Sequence, residues 1–309
     1  MELIPLYCMK IFLDTADIDE ISFAVSVGVI DGVTTNPSLI KQAVEKRSGS
    51  VNMEEYIEKI LELTPGPVSL EVISVEFEKM VEEARLLHSR FRKHGNVVIK
   101  IPVCSSLDGV NNLYDGLKTI RKLAGESIPV NATLVMSPEQ AILAAKAGAM
   151  YVSPFAGRID DYIRDKIGMR RGRDYQKSEY YNFNLMKNVE SLMIEKTLSS
   201  KNISSPKEVY LDNEVKDAVS KLNDNGISSG VELVRSIVTI FRNYGFRSQV
   251  IASSIRNARQ VREMAEIGVD IVTVPFYVLK EMLTHSKTIE GINDFVKDVV
   301  EPYRKIFAR

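Results

Sequence analysis

The chain has 309 residues, 45% of them hydrophobic and 26% charged, which is enough to bury a sizeable core and ordinary for a soluble globular protein. Its 40 lysines and arginines nearly balance 41 aspartates and glutamates, and a formal net charge of -1 leaves no electrostatic footprint for nucleic acid or an anionic membrane surface. The two cysteines, Cys8 and Cys104, form neither a paired metal motif nor a disulfide framework, which fits a reducing, cytoplasmic setting.

The apolar patch over residues 4–9 lacks a basic leader and a separable hydrophobic core, so it reads as strand rather than signal peptide. No run approaches the length needed to span a bilayer, so no membrane partner is expected. From there, short β-branched or apolar runs alternate with longer segments of helical spacing. The strand candidates are residues 10–13, 32–34, 68–72, 97–101, 130–133, 150–153, 249–252 and 270–274. Helical patterns occupy 53–63, 77–92, 109–123, 138–147, 230–244 and 258–267. Pro138 suits a first helical turn with Ser137 as its cap. Gly148 and Gly268 suit helix ends, where a left-handed residue costs little.

Eight strands alternating with helices predict a parallel sheet covered on both faces. An open, doubly wound sheet would give the same alternation, but two features favour closure. No glycine-rich turn follows the first strand, and polar or ionisable residues stand at the C-terminal end of nearly every strand, as on the catalytic rim of a barrel. The expected architecture is a single (β/α)8 TIM-type barrel over residues 1–309. One interval is too long for a crossover. It holds an aromatic, charged stretch (175–184), a helix-like segment (185–198), a serine-rich piece (199–205) and a polar helix-like segment (208–222). Residues 166–225 therefore read as a mainly helical insertion after strand 6, too short to fold as a separate domain. A lid, a subunit contact or a peripheral cover would all fit. Tyr175, Tyr180, Tyr181 and Phe183 are too apolar to lie wholly in water, and a neighbouring subunit is preferred over the barrel mouth as their cover. The run Arg170, Arg171 and Arg173 reads as a solvated or local loop feature.

Lys100 is one amine inside the apolar run Val97-Val98-Ile99-Lys100-Ile101-Pro102. Desolvation favours the neutral form of an amine, and a neutral amine attacks carbonyls to make imines. Snorkelling from the sheet edge, or pairing with a structural carboxylate, would explain the same lysine. Asp14 closes the first strand and Glu71 interrupts the third, and in a barrel both could face Lys100 as proton-transfer groups. A helix cap for Asp14 and a structural ion pair for Glu71 are the plainer alternatives. Asn36, Asn131, Thr133 and Ser153 add neutral hydrogen-bonding groups at successive strand ends, suited to a polyol, although Asn36-Pro37 could equally be a turn. Arg158 and Arg256, with Ser254 as a smaller donor, suit a phosphate, which guanidinium grips with two parallel hydrogen bonds; a surface ion pair is the commoner use of a lone arginine. His88, His94 and His285 are not spaced as a metal-ligand set, so neither metal nor cofactor is expected.

Six ordered motifs resemble those of the transaldolase family, which also includes fructose-6-phosphate aldolases. They are Leu13-Asp14-Thr15-Ala16, Thr34-Thr35-Asn36-Pro37-Ser38-Leu39, Val98-Ile99-Lys100-Ile101-Pro102, Asn131-Ala132-Thr133-Leu134, Ser153-Pro154-Phe155-Ala156-Gly157-Arg158-Ile159 and Ala252-Ser253-Ser254-Ile255-Arg256-Asn257. The resemblance implies a metal-independent enzyme that moves a dihydroxyacetone unit between sugar phosphates through a Schiff base on Lys100. It implies Asp14 as base beside the scissile bond, Glu71 and Thr133 as a proton relay through water, Asn36, Asn131 and Ser153 around the three-carbon unit, and Arg158 and Arg256 at the phosphate. Glu71, Phe155 and Arg256 fall on the transaldolase side, where the aldolases usually carry Gln, Tyr and Lys. The expected partners are sugar phosphates and further copies of the chain in a homo-oligomer. An aldolase releasing free dihydroxyacetone is the nearest alternative, and a non-catalytic barrel scaffold a remote one.

Overall fold

The computed structural model describes residues 8–47, 51–201, 203 and 205–308; the strand expected over residues 4–9 lies largely outside them, as do two residues of the serine-rich piece. Eight strands form a closed, wholly parallel barrel in chain order: β1 (Lys10–Asp14), β2 (Gly32–Thr34), β3 (Pro67–Glu71), β4 (Asn96–Pro102), β5 (Val130–Val135), β6 (Tyr151–Pro154), β7 (Gln249–Ala252) and β8 (Ile271–Val274), with β8 paired to β1. Outside run α1 (Ile18–Val27), α2 (Pro37–Glu45), α3 (Met53–Leu63), α4 (Phe77–Phe91), α5 (Asp115–Gly125), α6 (Pro138–Ala147) and α7 (Ala156–Lys166). Three helices fill the insertion, α8 (Phe183–Ser199), α9 (Pro206–Leu211) and α10 (Asn213–Lys221). The chain then returns through α11 (Gly230–Tyr244) to β7, and α12 (Ala258–Glu266), α13 (Phe276–Leu283), α14 (Ser286–Lys297) and α15 (Glu301–Arg304) complete it. No helix among the described residues is long and apolar enough to cross a membrane.

The barrel is filled in layers because side chains alternate across a strand. Phe12, Val98, Tyr151, Ile251 and Ile271 form a buried apolar cluster distinct from the larger core between sheet and helices. Phe12 meets Tyr151 edge-on, ring centroids 6.4 Å apart. A Cβ on Gly32 would lie 2.8 Å from the Phe12 ring, so only glycine lets that ring fill the barrel here. Two residues further along stand Asp14, Lys100, Ser153 and Thr273 on their strands and Ser253 just past the end of β7. The same alternation that packs the apolar layer therefore raises a polar layer above it, at the C-terminal mouth.

Three elements differ from the sequence expectation, each for a local reason. The helix expected over residues 109–123 starts at Asp115. Before it, Asp108 accepts from the backbone N–H groups of Val110 and Asn111, both at 2.8 Å, and Asn112 is left-handed at φ 57°. The polar segment 208–222 is two helices, because Asp212 turns outward and caps α10 by accepting from Glu214 N and Val215 N. The aromatic stretch covers its own barrel rather than needing a neighbour for the purpose. Tyr175 and Tyr181 are buried in this chain, 4% and 5% exposed, on either side of the Arg164 guanidinium.

Asp160 is the buried joint between α7, α11 and α12. It accepts from Gly230 N and from Gln260 Nε2, both at 2.8 Å. Burial pushes its carboxyl from the ordinary 3.8 up to about 7. Between those values the folded chain holds a proton that the unfolded chain has released, so folding stability falls as pH rises through the window and levels off above it. Urea unfolding from pH 4.5 to 8 is expected to show this slope in the native chain and a flatter one in Asp160→Asn; parallel slopes would contradict it.

Candidate active site

A cavity of about 560 Å³ opens at the mouth of the barrel, where the polar layer meets the loops after the strands. Asp14, Asn36, Glu71, Lys100, Thr133, Phe155, Arg158, Ser254 and Arg256, all singled out from sequence, line it together. Lys100 is only 4% exposed. Its Nζ lies 3.3 Å from Glu71 Oε2 and donates to the Thr35 carbonyl at 3.1 Å, so it does not snorkel. Strand register makes the pair, since Glu71 stands directly opposite Lys100 across β3 and β4. The Phe155 ring covers the amine at 6.0 Å and stacks beneath the Arg158 guanidinium at 5.1 Å.

Asp17, and not Asp14, caps α1, accepting from Asp19 N at 3.0 Å. Asp14 instead accepts the Thr34 hydroxyl on Oδ1 at 2.7 Å, and that hydroxyl is 2.5 Å from Thr273 Oγ1. Its other oxygen makes no hydrogen bond among the described residues. Asn36 is both turn and wall: its Oδ1 caps α2 by accepting from Leu39 N at 3.0 Å, which leaves the amide NH2 for the cavity. Thr133 is wholly buried, and its hydroxyl has no partner within the protein. A buried hydroxyl in that position is a donor and acceptor for a small molecule in the cavity.

Asn131 and Ser153 do not reach the cavity wall. Both are buried behind it, where Ser153 Oγ donates to Asn131 Oδ1 at 2.7 Å and Asn131 Nδ2 donates to Ser69 Oγ at 3.1 Å. Two lining residues, Leu134 (φ 57°) and Ser254 (φ 61°), are left-handed without being glycine. Such conformations cost about 1–3 kcal/mol and concentrate at functional sites.

Arg171 and Lys177 also line the cavity; sequence reasoning missed Lys177 and saw Arg171 only as one of a basic run. Arg171 belongs to the run read as a solvated or local loop feature; all three arginines of that run are exposed, Arg170 and Arg173 paired with Asp165 and Asp174. Arg171 reaches Asp161, 3.3 Å away, with its side chain 54% exposed, and Asp161 also holds Arg256 at 2.8 Å and the Tyr175 hydroxyl at 3.1 Å. Arg171, Tyr175 and Lys177 lie on a strap, residues 167–182, tied across the mouth between α7 and α12. Arg164 Nη2 donates to the Glu179 carbonyl at 3.2 Å, Asn257 Nδ2 to the Ser178 carbonyl at 3.1 Å, and the Tyr180 hydroxyl to Glu263 at 2.9 Å. The Arg259 guanidinium stacks 3.6 Å from the Tyr180 ring.

A family model described as Transaldolase/Fructose-6-phosphate aldolase matches residues 11–205 and 209–307. The chain belongs to that family. It is 40% identical over 291 residues to a probable transaldolase of Thermodesulfovibrio yellowstonii, covering 94% of this chain and 97% of the relative. Similar matches join it to probable transaldolases of Kosmotoga olearia (40% over 297 residues, 96% and 98% covered) and Thermoplasma acidophilum (39% over 292 residues, 94% and 95% covered). The family match runs through the strap and most of α8 to α10, beyond the motifs that carry the resemblance in sequence.

In this member of the family Gly157 makes the closest approach at the site. A Cβ there would stand 2.2 Å from Arg256 Nε and 2.2 Å from the Ser254 carbonyl. Gly157→Ala must displace the loop that carries both residues, and overpacking of this kind costs about 1–3 kcal/mol. Urea unfolding of the variant is expected to show that loss. A change below about 0.5 kcal/mol, the level of an indifferent surface substitution, would mean that the approach is not tight.

Proposed function

We propose that this enzyme is a transaldolase that moves a dihydroxyacetone unit from a ketose phosphate to an aldose phosphate through a Schiff base on Lys100. The donors in view are fructose 6-phosphate and sedoheptulose 7-phosphate, and the acceptors are erythrose 4-phosphate and glyceraldehyde 3-phosphate. One observation carries the reading: a buried amine held by a carboxylate at 3.3 Å, at the floor of a cavity with a second carboxylate and three arginines on its walls. The names of the relatives support the same reaction.

Glu71 can take a proton from the Lys100 ammonium and release the neutral amine. The amine adds to the C2 carbonyl of the ketose, and the carbinolamine hydroxyl leaves as water once protonated through Glu71 and Thr133. Asp14 then takes the proton of the C4 hydroxyl. The C3–C4 bond breaks, its electron pair moves to the iminium nitrogen, and an aldose phosphate departs from a Lys100-bound enamine. A second aldehyde is attacked by that enamine, Asp14 returns its proton to the new hydroxyl, and water hydrolyses the imine. Asn36 holds hydroxyls of the three-carbon unit, with Asn131 and Ser153 fixing the floor behind it. Arg158 and Arg256, with Ser254, take the phosphate at the far end.

Borohydride with fructose 6-phosphate is expected to inactivate the enzyme and add a reduced sugar fragment to Lys100, read by peptide mass. Modification elsewhere with activity intact would sink the assignment. The two carboxylates are expected to fail differently, each by roughly 10²–10⁴-fold. Asp14→Asn still traps intact donor as imine but cleaves poorly, whereas Glu71→Gln forms and hydrolyses the imine slowly. Identical trapping kinetics in both variants would reject this division of labour.

A further inference from the structure

Lys177 is carried by the strap, outside every strand end and every motif that carries the family resemblance, yet it lines the same cavity as Lys100 and Asp14. Among the described residues its ammonium makes no hydrogen bond or ion pair. The charged groups that act on it are Arg256, Asp14, Arg171 and Asp161. Burial and then the Arg256 guanidinium push its ammonium below the usual lysine range. Lys177 itself is exposed, and what points to an anionic ligand is its place beside Arg158, Arg171 and Arg256 in the cavity lining without an ion pair among the described residues.

The surrounding charges point to the class of anion. Arg158, Arg171, Lys177 and Arg256 line the cavity together, and among the described residues the only carboxylate paired with any of them is Asp161, which bridges Arg171 and Arg256. Arg158 has an aromatic face beneath it and no carboxylate partner among the described residues. Arg256 is 6% exposed, and its Nε makes no hydrogen bond within the protein. Three arginines and Lys177, with Asp161 pairing two of them and Asp14 acting on Lys177, leave an excess of positive charge that matches a dianion such as a phosphate monoester and fits a neutral sugar hydroxyl poorly. A neighbouring bay shares Arg158, Arg171 and Arg256 with the cavity and adds Arg170, with Asp161 and Asp165 as its carboxylates.

We propose that Lys177 is a specificity-determining ligand of the substrate phosphate, delivered by the strap and acting beside Arg158 and Arg256. The inference rests on the sugar-phosphate reading above and assigns the strap a direct part in it. The strap is held by contacts that do not involve Lys177, namely Arg164 between Tyr175 and Tyr181 and Asn257 to the Ser178 carbonyl. Removing the ammonium alone should therefore leave the strap in place.

The test is steady-state kinetics with fructose 6-phosphate and erythrose 4-phosphate on Lys177→Gln, Lys177→Arg and the control Lys196→Gln, an exposed cation on α8. A lost charge-assisted contact of about 1.5–3 kcal/mol corresponds to roughly 10- to 150-fold. Lys177→Gln is expected to raise KM for fructose 6-phosphate by about tenfold or more, and the inhibition constant of inorganic phosphate by a similar factor, with kcat nearly unchanged. Lys177→Arg should recover most of that loss, and Lys196→Gln should move neither constant by as much as about twofold. The concentration of unphosphorylated dihydroxyacetone needed for half-maximal borohydride trapping should be the same in Lys177→Gln as in the native enzyme. An unmoved KM and phosphate constant in Lys177→Gln would overturn the proposal, and so would a matching rise in the dihydroxyacetone requirement, which would place Lys177 at the imine instead. If the native enzyme is not trapped at Lys100 at all, the sugar-phosphate reading itself fails, a result distinct from either.

Discussion

The ion pair between Lys100 and Glu71 is the constraint around which the site is arranged. It needs no loop to form it: β3 and β4 run in a register that sets the two residues opposite one another. That register is in turn enforced by the outer faces of the same strands, where Val68, Leu70, Val97, Ile99 and Ile101 are buried against helices. A slip of one residue would turn every one of these outward groups into the barrel and expel the pair. An unpaired buried ammonium would cost several kcal/mol, so Glu71 makes burial of the amine tolerable. It is also the group through which the amine can become neutral. Packing and chemistry are here two uses of one contact.

The other end of the cavity is built on a different principle. Arg158 comes from the first turn of α7 and Ser254 and Arg256 from the loop after β7, whereas Arg171 and Lys177 come from the strap. What holds them is a set of polar and cation–aromatic contacts around Arg164, Asp161 and Asn257, closed over by Tyr175 and Tyr181. Asp161 touches guanidinium groups of both origins, so the strap and the barrel rim are positioned by one carboxylate. A rim assembled this way can vary its outer cations without disturbing the strand-borne amine.

Much of this was legible in the residue order because strand physics is periodic. The eight strands read clearly, since each is a short apolar run followed by a helix with a recognisable start or stop. Lys100, Asp14 and Glu71 stood out as ionisable side chains within or at the end of such runs. The cap that sequence offered as an alternative for Asp14 is supplied three residues later by Asp17. Asn131 and Ser153 were found by the same periodicity, but whether a buried polar group faces a cavity or its neighbour depends on barrel geometry that spacing does not encode. Lys177 could not be read at all, and Arg171 only as one of a basic run on a loop. Their direction depends on the path of the strap, which is set by contacts between residues far apart in the chain, such as Asn257 with Ser178 and Tyr180 with Glu263. Asp108 and Asp212 show the same limit at short range, where one side chain satisfying backbone N–H groups broke an otherwise helical pattern.

The central claim is that a second aldehyde, rather than water alone, collects the three-carbon unit from Lys100. Its most direct test is the product of fructose 6-phosphate labelled with ¹³C in its first three carbons, followed by NMR with and without erythrose 4-phosphate. Three-carbon transfer predicts labelled sedoheptulose 7-phosphate that appears only with the acceptor, and very little free dihydroxyacetone in its absence. Labelled dihydroxyacetone released at the same rate in both samples, with no seven-carbon product, would contradict it.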